Sequence, residues 1–135
     1  SKDYQEGETL AYLIDFLDEN GTKPLFRVYY QDAPTEPTIG EVAPELLEER
    51  GVDLAILCVG TFFNVPDPAH IVRNTRPRHI LLGHWENFFE PQRDNPKAIP
   101  FANVKKVLQV VREAAGPETE VILPNPQAVF RFPSP

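Results

Sequence analysis

The sequence predicts an α/β domain built on one mixed sheet, partly parallel, with its helices on one face. Three observations carry this reading. The runs LAILCV and HILLG, at 54–59 and 79–83, are almost continuously apolar, as strands of a covered parallel sheet are. Segments of helical period alternate with them, and such alternation implies crossover connections. Ahead of both, an Asn20-Gly21 pair separates two apolar segments. That dipeptide is a strong hairpin signal, so the first two strands pair antiparallel.

In chain order the elements read β-β-α-β-α-β-α-β-β. Residues 10–17 (LAYLIDFL) form the first strand, and 25–31 (LFRVYYQ), rich in aromatic and β-branched residues, form the second. A Pro/Thr-rich loop after Asp32 leads to a short helix at about 41–50, which Gly51 ends. The third strand spans 52–60. Asp67 as an N-cap followed by Pro68 opens a helix over 68–75. RPRHILLGH (76–84) is the fourth strand. Phe101, Val104, Val107, Leu108, Val111 and Ala115 recur at helical spacing up to Gly116-Pro117, which stops the helix. EVILP (120–124) and AVFRF (128–132) are read as closing strands. Three modest helices suffice for one face of such a sheet and leave the other without an assigned cover.

The 135 residues fit one domain, residues 1–135, with an ordinary hydrophobic core. A net charge of −7 argues against nucleic acid, which needs clustered Lys and Arg. The densest basic cluster, RNTRPRH at 73–79, reads as a solvated inter-element turn. No apolar run reaches the roughly 20 residues that span a bilayer, so no membrane partner is expected. The polar, acidic SKDYQEGETL does not read as a secretory signal. The single Cys58 cannot form an internal disulfide and reads as a buried structural thiol, compatible with a cytoplasmic location. There is no GxGxxG, P-loop or GxSxG segment to support a dinucleotide, nucleotide or serine-hydrolase reading.

Two polar residues close strands where α/β sheets place their ligands, beyond the carboxyl ends. Asp32 follows LFRVYYQ, and His84 ends HILLGH before Trp85-Glu86-Asn87-Phe88-Phe89. A carboxylate and an imidazole suit zinc, manganese or iron; the bland alternative is an Asp starting a turn and a His capping a strand. His79 reads as a structural histidine within its strand, and His70 as a solvent-facing residue of its helix. Tyr29 and Tyr30 alternate across a strand, so only one of them faces any site.

The segments VYYQD, VDLAILCVG, PRHILLGHWENFF and VILPNPQAVFRF, taken in order across about 10–132, resemble the second half of the metallo-β-lactamase superfamily. The resemblance implies half of an αββα sandwich, with helices on the outer face of its sheet. It implies a metal-dependent hydrolase whose parent chain uses two ions (zinc, manganese or iron) to activate water against an ester, lactone, amide or phosphodiester. Asp32 would bridge the two ions and His84 would complete one shell. Trp85, Phe88 and Phe89 would wall a substrate pocket. The family's HxHxDH motif is absent, and the first histidine here is His70. Only two of the usual seven ligands have counterparts, so this polypeptide alone is expected to be inactive, with no catalytic residue complete within it. The resemblance also leaves the inner sheet face unpartnered, so the expected partners are the family's N-terminal half or a second copy of the chain. The rival reading is a stand-alone α/β binding or interaction domain without catalysis.

Overall fold

The computed structural model describes residues 10–59, 68–90 and 95–132. Its elements are β1 (Ala11–Leu17), β2 (Pro24–Gln31), α1 (Pro44–Glu49), β3 (Leu54–Cys58), α2 (Ala69–Thr75), β4 (His79–Gly83), α3 (Val104–Ala115) and β5 (Glu120–Ile122). The strands form one mixed sheet in the order β1-β2-β3-β4-β5. β1 and β2 are antiparallel, and every later pairing is parallel. The α/β class and the antiparallel opening hairpin are therefore as the sequence predicts. Among the described residues no helix is long and apolar enough to cross a membrane.

The hairpin turn is longer than a two-residue Asn-Gly loop. The Asp18 carboxylate accepts the Thr22 and Lys23 amides at 2.8 and 3.1 Å, and Gly21 takes the left-handed conformation at φ 69°. Those two amide hydrogen bonds hold the exposed Asp18 carboxyl below the usual carboxylate range.

Strand register sorts the side chains onto two unlike faces. One row aligns Leu13, Tyr29, Ala55, Ile80 and Val121, and the next aligns Gln31, Leu57 and Leu82. The apolar members of both rows pack with Leu47 of α1, Ile71 and Val72 of α2, and Val107 and Val111 of α3 into a single core. All three helices thus cover the same face. The opposite face carries Ile14, Val28, Leu54, His79 and Glu120 in one row and Tyr12, Tyr30, Ile56, Leu81 and Ile122 in the next. No helix residue lines the groove of about 620 Å³ on this second face, which Ile14, Phe16, Phe26, Ile56 and Phe132 help to form.

Several boundaries differ from expectation for local reasons. Residues 128–132 form no strand. Pro126 and Gln127 make a turn with Gln127 at φ 65° and the Ala128 amide on the Asn125 carbonyl, after which Phe132 packs on Phe26 and His79 instead of pairing. α1 begins only at Pro44 and ends at an extended Arg50 without using Gly51 as a left-handed cap. α2 has Pro68 at its N-cap position with no side-chain cap; the expected cap, Asp67, lies outside the described residues. Arg76 closes α2 in the left-handed conformation, so the basic cluster at 73–79 runs from helix into strand and is not a plain loop. α3 starts after Asn103, whose side chain accepts the Lys106 amide, and leaves Phe101 84% exposed outside it.

A polar network anchors α1 beneath β1 and β2. The Arg27 guanidinium donates to both oxygens of Asp15 at 2.6 and 2.8 Å, and to the carbonyls of Leu46 and Arg50. Buried Asp53 accepts the Arg27 amide and an Arg50 guanidinium N–H. Neither Asp15 nor Asp53 is marked by any local sequence motif.

Candidate functional site

The loop after β2 fixes Asp32 through its neighbours. The Gln31 side-chain amide donates to Thr35 Oγ1 at 2.8 Å, and that hydroxyl donates to the Ile39 carbonyl at 2.7 Å. The buried Tyr29 hydroxyl donates to the Gly40 carbonyl at 2.7 Å, and burial raises its phenol pKa. Gly40 sits at φ 81°, and a Cβ there would meet Gln31 Nε2 and Tyr29 Oη at 3.1 Å. The far end of the loop is tied to α2. Asn74 exchanges two hydrogen bonds with the Val42 backbone, and His70 contacts Glu41 Oε1 at 3.1 Å and the Thr35 carbonyl at 3.2 Å. His70 is therefore buried and structural rather than solvent-facing. Its partners lie 29 and 35 residues away in sequence, out of reach of a local pattern.

Directly after β4, His84 adopts φ 55°. Downstream, the chain turns back on itself: Asn87 N–H donates to the Lys97 carbonyl, Ile99 N–H to the Trp85 carbonyl, and Glu86 bridges Ala98. Exposed and buried positions alternate through this stretch, so His84 is exposed while Trp85 is buried. Trp85 joins the helix-side core and its indole N–H donates to the Pro124 carbonyl at 2.9 Å. Its body is thus core, not pocket wall. The Phe88 ring lies 5.6 Å from the His84 ring and 4.4 Å from that of Phe89, tilted by 47° and 38°, and both phenylalanines are exposed.

Asp32 and His84 come together. Both line one pocket of about 330 Å³ at the C-terminal edge of the parallel strands, with Tyr30, Ile56, Cys58, Gly83 and Glu86 also in its wall. Tyr30 faces this site while Tyr29 turns into the core, as strand alternation requires. Trp85, Phe88 and Phe89 are not among the lining residues. Two of its possible metal donors, Cys58 and Glu86, carry no site motif in the sequence. Cys58 is buried, yet it ends β3 opposite Gly83 and its Sγ lies 3.4 Å from His84 Nδ1. Glu86 is two residues past His84, and its carboxylate accepts the Trp85 amide at 3.2 Å. The only sequence signal for either was proximity to a strand's carboxyl end.

Carboxylate, imidazole and thiolate together are donors that suit zinc. The 3.4 Å between Cys58 Sγ and His84 Nδ1 matches two corners of a tetrahedral ion with bonds of about 2.3 and 2.0 Å. Among the described residues, however, no group of three or more His, Cys, Asp or Glu side chains is arranged to hold a metal ion. The donor types fit, but their arrangement does not close a shell with an open position for water. Comparison with protein-family models and with curated proteins finds no match to this chain.

Proposed function

We propose that this chain is the C-terminal half of a metallo-β-lactamase-fold, metal-dependent hydrolase, and that Asp32 and His84 are its contribution to the metal centre. One observation carries the reading: two residues 52 positions apart in sequence, each directly following a strand, line the same pocket at the sheet edge where α/β sites form. The donor types suit zinc, manganese or iron, which when bound by the complete enzyme would activate water for attack on an ester, lactone, amide or phosphodiester. Asp32 and His84 would help to hold such an ion. The remaining ligands would come from an N-terminal half carrying HxHxDH. A second reading, a non-catalytic α/β interaction domain, draws support from the open apolar sheet face.

On this reading the 135-residue chain shows no hydrolase turnover with added zinc or manganese. It binds zinc only weakly, with Kd on the order of 1 mM, or about −4 kcal/mol. Isothermal calorimetry on the chain and on His84→Ala and Asp32→Ala checks this. Each substitution is expected to abolish the binding heat. A zinc site that survives both substitutions overturns the assignment.

A further inference from the structure

We propose that the face of the sheet left uncovered by α1, α2 and α3 is the docking surface for a second copy of this chain, joined face to face about a two-fold axis. Tyr12, Ile14, Phe16, Leu17, Leu25 and Tyr30 on or beside this face are 37–58% exposed. With about 200 Å² per large apolar side chain and half of it open, these six present about 600 Å². The half-buried Phe26, Ile56 and Leu81 between them bring the face to about the 800 Å² that each partner of a standard interface buries. Such an area exceeds the few hundred Å² of contiguous apolar surface that soluble monomers ordinarily expose.

Charge selects the same face. The chain carries 20 acidic against 13 basic residues, so most surfaces of two copies repel one another. Along the strand rows of this face there is no Asp, Lys or Arg, and the one carboxylate, Glu120, pairs with His79 at 3.0 Å. The face is also self-complementary in kind. Aromatic ridges from Tyr12–Tyr30 and Phe16–Phe26 flank a groove that takes in Phe132. An isologous contact sets such a ridge of one copy into the groove of the other. The proposal does not rest on the metal-site reading, since none of the six residues above except Tyr30 lines that pocket.

Sedimentation velocity of the chain at micromolar concentration is expected to give a species of twice its 15.3 kDa mass. Phe16→Lys and Ile14→Lys are expected to raise the dimer dissociation constant by about thirtyfold or more, the loss typical of a central contact. Circular dichroism melts of both variants verify that the helix-side core still folds. Phe101→Ser, an exposed aromatic outside the strands, is expected to leave the dimer intact. A monomer at these concentrations, or a dimer indifferent to both lysine substitutions, overturns the inference.

Discussion

Replacing Arg27 with methionine is expected to destabilise the fold by about 3 kcal/mol and to release α1 from the sheet. The guanidinium is almost fully buried, its side chain 3% exposed, and it satisfies a carboxylate and two carbonyls at once. Breaking a buried ion pair from one side costs about 3–5 kcal/mol. The lower end applies here because Asp15 is 28% exposed and water relieves part of its loss. α1 has only six residues, none of them buried, so little besides Arg27 fixes its C-terminal carbonyls. Hydrogen exchange at Leu46–Arg50 should accelerate more than exchange in β3 or β4. The pH dependence has a definite sign. The hydrogen bond from Arg27 holds the Asp15 carboxyl below its ordinary value, against an opposing effect of burial. A depressed folded pKa adds stability that is fully present above the unfolded value near 3.9 and is lost as pH falls through the folded value. Urea unfolding at pH 7 and pH 3 should therefore show part of the wild type's acid loss missing from Arg27→Met. A variant within about 0.5 kcal/mol of wild type at pH 7 would remove this network from the account.

The second large effect is expected at Ile80. Its side chain is fully buried in the helix-facing row, between Ala55 and Val121 in the strand register. Ile80→Ala should cost about 3–4 kcal/mol, within the range for burying a cavity where a β-branched side chain stood. Leu46→Ala, on a residue 44% exposed in α1, should cost under about 1 kcal/mol by the same urea measurement. Equal losses at the two positions would mean that the core does not lie where the register puts it.

What could be read from the sequence followed periodicity and chain punctuation. The apolar runs of β3 and β4, the Asn20-Gly21 turn, and the helical spacing that ends at Gly116 are local signals, and each produced an element of the expected type. The boundaries moved where backbone detail took over, as at Asn103 and Arg76. Residues 128–132 alternate like a strand, but Pro126 and the left-handed Gln127 turn the chain out of the ladder. Side-chain roles depended on partners the local sequence does not specify. His70 is buried, against the solvent-facing expectation, because Glu41 and Thr35 reach it across a crossover. Trp85 sits next to His84 in the chain yet points into the core, because the Pro124 carbonyl waits there 39 residues later. Cys58 gains its place beside His84 only through the Cys58–Gly83 register of two parallel strands. Asp32 and His84 were legible because both sit at strand ends, and parallel strands deliver their ends to one edge.

The measurement that bears most directly on the central claim is the location of a bound divalent ion. Paramagnetic Mn²⁺ titrated into the ¹⁵N-labelled chain broadens amide signals near the ion, and the Asp32–His84 pocket predicts which ones. Signals from Tyr30–Asp32, Leu57–Cys58, Gly83, His84 and Glu86, in the walls of that pocket, should broaden together at the lowest Mn²⁺ concentrations. His84→Ala should abolish the pattern. Selective broadening around His79 and Glu120, or around Glu41 and His70, with the strand-end signals untouched, would contradict the account.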